Sequence, residues 1–369
     1  MDRFLKNDAT MILLKIDIDM IDTKNKMPLL GGILILLLLS CRSSNQETIR
    51  VENIICQPII YEDNYIIGGP REMALSDSIL AVMDAKSDSM LLFFNVKSRK
   101  YLGKAGIRGQ GPSEFTVLSS LESHSGSSFS FYDINKKTFY YTNSITGDGV
   151  RFIPTFRVDS GLPLEVHPMA NGKFIAPGIY EKYRYCVLDS GGQVHNTFGE
   201  WPYRDEDEKK VSGIVRSQAY MFGIAASPSK TKFIASLLSA DILSFYQLEN
   251  DSVHLLKETI LTYPDYEYRN SPTVYSGVSK DSPINYLCAT CSENYVYVLY
   301  SGKNFRQDAL TSFSGNMIYV YTWSGNKIAM LKSDKMLGKI CLAEDGKTMY
   351  AIAYDLDPVL VQFPLPQWQ

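Results

Sequence analysis

Histidine is scarce: four in 369 residues, at positions 124, 167, 195 and 254, with no two at metal-ligand spacing. That weighs against a metal centre or a His-based acid–base site carried by a local motif. No GxSxG elbow occurs, so the usual signature of a serine hydrolase is missing. Charge of one sign is missing too. The chain has 37 Lys+Arg against 40 Asp+Glu, a net charge of −3. A near-neutral surface has no nucleic-acid footprint. Ala-rich, helix-favouring stretches are absent. The longest apolar run, 29–39, is eleven residues, against the ~20 a helix needs to cross a bilayer. Cysteine is sparse and scattered, with five positions after Cys41: Cys56, Cys186, Cys288, Cys291 and Cys341. An odd, dispersed set is no disulfide framework. Cys288-Ala-Thr-Cys291 is a lone CxxC in a stretch that reads as strand, where positions three apart face opposite ways. It reads as structural. No cofactor is expected.

What is present begins at the amino terminus. Lys24 and Lys26 precede the short apolar run, which ends in Leu38-Leu39-Ser40-Cys41. A basic flank, a short apolar core and a small residue before the cut make a secretory signal. The cysteine at the cut resembles the lipobox of bacterial lipoproteins. That resemblance implies a diacylglycerol on the Cys41 thiol and acylation of the new amino terminus. Each buried CH₂ holds by ~0.8 kcal/mol, so two or more chains anchor stably. Asp17, Asp19 and Asp22 stand where a signal should be basic, and a start at Met20 keeps both lysines. The expected organisation is a signal over 1–40 with translation from Met20, a lipidated tether over 41–47 and a globular domain over 48–369. The expected location is the cell envelope, held to the outer membrane, because Arg42 is not the aspartate associated with inner-membrane retention in some bacteria.

The rest alternates apolar or aromatic runs with Gly- and Asn/Asp-bearing turns. Tyr295-Val-Tyr-Val-Leu-Tyr300 and Thr348-Met-Tyr-Ala-Ile-Ala-Tyr354 are typical runs; Asn171-Gly172 and Asp345-Gly346 are typical turns. Such density without helices means all-β. The runs group in fours, with third strands starting near Met90, Thr138, Tyr183, Ile242, Asn316 and Val359. Repeated four-strand units predict a six-bladed β-propeller of four-stranded antiparallel blades. The last unit lacks its fourth strand, and an open ring would leave unpaired edges. The strand-like segment 48–55 is expected to close the ring as the outer strand of blade six.

Gly109-Gln-Gly-Pro-Ser-Glu-Phe115 matches the GxGPxEF turn after the first blade of TolB-like six-bladed propeller lipoproteins of Bacteroidetes. Ala226-Ser-Pro-Ser-Lys230 and Ile318-Tyr-Val-Tyr-Thr-Trp-Ser-Gly325 continue the resemblance. It implies a fold and an envelope location, and it carries over no catalytic residues. Glu114 in this turn reads as structural, bonding to backbone.

Propeller geometry sorts loops onto two faces. The tight turns fall on one. The long segments 201–217, 263–286 and 301–315 fall on the other, which is the candidate binding face. The loop over 263–286 carries Tyr266, Tyr268 and Tyr275, whose rings suit stacking on a sugar or docking a protein, or pack the loop down. Arg71, Glu72 and Arg216 stand where first strands enter the channel. They line its mouth or form salt bridges between blades. The mixed-sign run Arg204-Asp-Glu-Asp-Glu-Lys-Lys210 reads as a solvated loop. The expected function is a monomeric, membrane-anchored binding or scaffold module for a glycan, a peptide or an envelope protein. The alternatives are a propeller hydrolase or lyase with its site at the channel mouth, and a purely structural member of an outer-membrane assembly. Paired carboxylates or clustered histidines in a pocket favour the enzyme.

Overall fold

The computed structural model describes residues 49–369 apart from 62–64, 146–148, 250–251, 270–274 and 369. Cys41, the signal, the tether and Thr48 lie outside the described residues. β1 (Arg50–Ile54) and β2 (Gln57–Pro58) come first. Blade one is β3 (Pro70–Ser76), β4 (Ile79–Asp84), β5 (Ser89–Asn95) and β6 (Lys100–Ile107). Blade two is β7 (Leu118–His124), β8 (Ser128–Asp133), β9 (Thr138–Thr142) and β10 (Phe152–Arg157). Blade three is β11 (His167–Pro168), β12 (Phe174–Pro177), β13 (Tyr185–Leu188) and β14 (Val194–Phe198). Blade four is β15 (Phe222–Ala226), β16 (Lys232–Leu237), β17 (Ile242–Glu249) and β18 (Ser252–Ile260). A hairpin of β19 (Tyr266–Arg269) and β20 (Tyr275–Val278) follows. Then come β21 (Pro283–Cys291), β22 (Tyr295–Asn304), β23 (Gly315–Thr322), β24 (Lys327–Leu342), β25 (Thr348–Tyr354) and β26 (Pro358–Pro364).

The first four blades are separate four-stranded antiparallel sheets. The fifth and sixth share one eight-stranded sheet, because β24 runs through both. Its first half pairs with β23 as the outer strand of blade five, and its second half pairs with β25 as the first strand of blade six. Third strands begin at Ser89, Thr138, Tyr185, Ile242, Gly315 and Pro358, each within two residues of the repeat read from sequence.

Ring closure differs in detail from the expectation. Arg50–Ile54 does not enter blade six. It lies parallel to Ala329–Ser333 of β24, as a fifth strand on blade five. Blade six is closed by the residues just after. Gln57 and Pro58 pair with Gln362 and Val361, and the Ile59 amide donates to the Leu360 carbonyl at 2.9 Å. The hinge between these two pairings is Cys56, whose amide donates to Asp334 at 2.8 Å. The closing strand therefore comes from the N-terminal segment, displaced by a few residues.

Both faces of every blade press on a neighbour, so inner strands read as unbroken apolar runs. In β4, Leu80, Ala81 and Val82 are fully buried. The core is a ring of six clusters, each shared by two successive blades. The cluster between blades six and one takes Ile59, Tyr61 and Ile67 from the N-terminal segment. Each buried Phe or Leu side chain contributes about 1.5–3 kcal/mol.

The 109–115 turn joins blades one and two. Phe115 is buried edge-on against Phe131, Tyr140 and Phe152. The Glu114 carboxylate accepts from the Gly111 amide at 2.8 Å, and the Lys136 ammonium donates to the Gly111 carbonyl at 2.9 Å. A Cβ on Gly109 would stand 2.0 Å from Glu114 Oε2. Gly109→Ala should therefore displace that carboxylate and lower stability by about 1–2 kcal/mol. Glu114→Ala should lose a similar amount. A double mutant no less stable than either single, by denaturant melts, identifies the shared bond.

Candidate functional site

The first strand of each blade lines a central channel of about 1370 Å³. First strands run from the face that carries the blade-to-blade connections to the face that carries the tight turns. All three long insertions, 199–221, 261–282 and 305–314, lie on the former. They form one connected cap. The helix Gly213–Ala219 meets β20 where the Ser276 amide donates to Gln218 at 3.1 Å. The hairpin's exit meets the third insertion where the Arg306 amide donates to the Lys280 carbonyl at 2.9 Å.

Pairing is irregular in four channel strands. Register shifts fall at Pro70/Glu72 in β3, Ser119/Glu122 in β7, Ile284/Tyr286 and Tyr286/Cys288 in β21, and Leu337/Lys339 in β24. They lie at mid-height or nearer the insertion face. A bulge re-aims side chains and is favoured next to binding sites. Ser120, in the β7 bulge, has φ +57°. The bulge turns the Ser120 and Leu121 amides towards blade one, where the Glu72 carboxylate accepts both at 3.2 and 2.6 Å. Glu72 thus fastens two blades through amides, not through the salt bridge expected. Burial holds its carboxyl above the usual range, with the nearby Glu165 charge adding and the Leu121 amide opposing.

Below lies a saturated ionic network. His167 Nδ1 is 2.9 Å from Glu122 and its Nε2 is 2.8 Å from Glu165. The other Glu122 oxygen is 2.6 Å from Lys230. Burial alone would lower the His167 pKa, but hydrogen bonds to Glu122 and Glu165 and their charges push it up to about 9. Burial would raise the Glu122 carboxyl, but Lys230 and His167 hold it far below the usual carboxylate range. His124, beyond, bonds Ser130 at 2.7 Å, and burial followed by the Lys230 charge lowers it to about 4.

Three cations lining the channel stand outside this network: Lys339, Arg71 and, in the turn after β24, Lys347. The Lys339 ammonium donates to the Leu287 carbonyl at 3.1 Å and is in no ion pair among the described residues. Arg71 is exposed at the bulge of β3 and has no ion pair among the described residues. Cys288, Cys291 and Cys341 also line the channel. Cys288 packs on the cluster between blades five and six, and Cys291 belongs to that between blades four and five. Burial raises all three thiols. Among the described residues, no three of His, Cys, Asp and Glu are grouped to hold a metal ion.

The sequence-predicted residues scatter. Arg71 and Glu72 line the channel. Arg216 does not, and among the described residues it makes no salt bridge between blades. It sits in the helix Gly213–Ala219 and donates to the Val211 and Trp201 carbonyls, tying its own insertion. The 204–210 run is not wholly solvated. Glu208 is buried and accepts from the Tyr220 hydroxyl at 3.0 Å. Tyr266 packs on the core under the cap, beside Trp201, Tyr220 and Ile242. Tyr268 is half exposed. Tyr275 lies in β20, paired with Arg269; its side chain is outside the described residues. Sequence reading missed Glu122, Glu165, His167, Lys230 and Lys339. The available signal was charge inside a first strand, as in Leu118-Ser-Ser-Leu-Glu-Ser-His124.

The chain is similar to known propellers. A calcium-binding protein, regucalcin, from Agrobacterium tumefaciens str. C58 superposes with a TM-score of 0.52 at 10% identity, over 87% of this chain and 98% of that one. A gluconolactonase from Xanthomonas campestris gives a TM-score of 0.47 at 8% identity, over 82% and 87%. At such identities the likeness concerns the fold alone. No curated protein matches by sequence. The family model described as TolB-like 6-blade propeller-like matches residues 49–345. Six interblade clusters, a channel lined by first strands and that match agree: the chain belongs to the TolB-like six-bladed propeller family.

Proposed function

We propose that this chain is a lipid-tethered binding module whose ligand enters the central channel from the insertion face. The observation that carries the reading is the set of bulges in β3, β7, β21 and β24, which re-aim channel side chains around one cavity. The cap of three joined insertions rims the same mouth. The tether reading rests on the basic flank, short apolar run and Cys41. A glycan or a peptide fits the scale of the site.

A hydrolase or lyase has one observation in its favour: Glu72, Glu165, Glu122 and His167 share the channel wall. Their bonds weigh the other way. Glu122 is held by His167 and Lys230, and Glu72 by two amides. A general base must reach a substrate proton, and these oxygens are already engaged.

Two measurements test the proposal. Cys41→Ser should move the protein from the membrane to the soluble fraction with its melt unchanged; membrane retention would refute the anchor. A panel of glycans and peptides on the purified protein should give at least one binder that protects channel residues from hydrogen exchange. Turnover of a panel member would favour the enzyme instead.

A further inference from the structure

We infer that the cleft where blade one meets blade two, beside the channel mouth, is an oxyanion site in which Arg71 and Arg108 grip a phosphate or sulfate group. This deepens the binding-module reading above and rests on it for the wider ligand, whose charged end the site would hold.

The two arginines border one small cavity of about 80 Å³. Strand pairing shows how they meet. In β3, Pro70 pairs with Asp84 and Glu72 with Met83, so Arg71 is the extra residue of the bulge. Arg108 follows β6, where its backbone bridges to Phe115 and its amide donates to the Asp88 carbonyl at 2.8 Å. Both stand at the insertion-face end of blade one, against the entry of blade two at Thr116, Val117 and Leu118. Arg71 also lines the channel, so the cavity adjoins its mouth.

Arg108 is already aimed. Its Nε, Nη1 and Nη2 donate to the Ser87, Thr116 and Ala85 carbonyls at 3.4, 3.3 and 2.8 Å. That spends three of its five N–H donors and fixes the fork. The carbonyls accept hydrogen bonds but bring no countercharge. No acid lines the cavity. The neighbouring carboxylates are committed elsewhere. Asp84 accepts from the Gly68, Gly69, Lys86 and Ser87 amides. Asp133 accepts from the Thr116 amide and hydroxyl and from the Asn135 and Lys136 amides. Glu72 accepts from the Ser120 and Leu121 amides.

Size and walls choose the ligand. Drug-sized molecules take pockets of about 300–1,000 Å³. This cavity is a fraction of that and suits one tetrahedral group. Met83, Met90 and Leu118 line it and are buried, and such apolar surroundings strengthen a charge-assisted bond. Two guanidiniums present paired donors to the oxygens of a phosphate or sulfate.

Inorganic phosphate and sulfate, titrated into the purified protein by calorimetry, test the site, with chloride at matched ionic strength as the reference. At least one oxyanion should bind at millimolar concentration or below, and chloride should not replace it. Arg71→Met should weaken that binding at least about tenfold and leave the anion-free melt unchanged, since the side chain makes no other bond among the described residues. Arg108→Lys keeps the charge but loses the fork, and it should weaken binding as well. Phenyl phosphate and phenyl sulfate then distinguish the two sources. The phosphate ester should bind more tightly as pH rises through about 6, where it gains its second charge, and the sulfate ester should not change. Whichever ester binds more tightly names the source. No binding by either inorganic anion at tens of millimolar overturns the site. So does binding that survives Arg71→Met in a folded protein, or that chloride matches. Each of these failures leaves the binding-module reading standing, because the glycan and peptide panel is read from exchange protection along the channel.

Discussion

Glu122→Ala should lower stability by about 3–5 kcal/mol, the loss expected when one partner leaves a buried ion network. Glu122 joins β7 to His167 in blade three and to Lys230 in the first turn of blade four. Its side chain is 15% exposed and that of His167 5%. Removing the carboxylate strands Lys230 and leaves His167 with Glu165 alone. Glu122→Gln keeps an acceptor and should fall between alanine and the parent. Thermal melts should show a drop of roughly 5–10 °C for alanine. A melt within a degree of the parent would mean that the network contributes nothing net.

The same network sets a pH signature. His167 is raised from 6.5 to about 9 in the folded chain. Its contribution is complete below about 6.5 and is lost as pH rises through about 9. Glu122 is depressed from 4.5. Its contribution is complete above about 4.5 and is lost as pH falls. Stability from this site should therefore peak between these two unfolded values. His167→Gln should flatten the alkaline fall; an unchanged alkaline limb would assign that fall to other groups.

The second large effect concerns closure. Deleting 50–59 removes β1 and β2 together. Blade six then has three strands and an open β26 edge, and two interblade clusters lose Ile54, Cys56 and Ile59. Large-to-small changes at such sites cost about 2–5 kcal/mol each, so Ile54→Ala and Ile59→Ala grade the effect. The deletion should abolish the cooperative calorimetric transition, or lower it by more than roughly 10 °C. A parental melt would show that the ring does not depend on this segment.

Blade order and loop placement were legible because they rest on local signals. Alternating runs and Gly/Asn turns mark strands wherever the chain later goes, so all six third strands fall within two residues of their predicted starts. Closure was legible only as a need for a strand. Register depends on partners at Ala329 and Gln362, some 280–300 residues away, and so 50–54 and 57–58 took different blades. The channel network was not legible for the same reason. Glu122 and His167 are 45 residues apart and Glu122 and Lys230 are 108 apart, and only the ring makes them neighbours. Bulges exist only in a pairing. The burial of Glu208 depends on Tyr220, which its charged flanks do not announce.

One feature of the closure reaches into mechanics. β1 runs parallel to the first half of β24, which climbs from the turn-bearing face to the insertion face. The chain therefore enters the propeller at the turn-bearing face. A pull on residue 49 away from that face is directed along β1, so its bonds to β24 bear the load side by side. Strands loaded in this way slide only when the bonds yield together, whereas a strand peeled from its end gives them up one at a time. A pull at residue 49 should therefore meet the β1–β24 bonds as a set before it reaches the blade-six closure at Gln57 and Pro58.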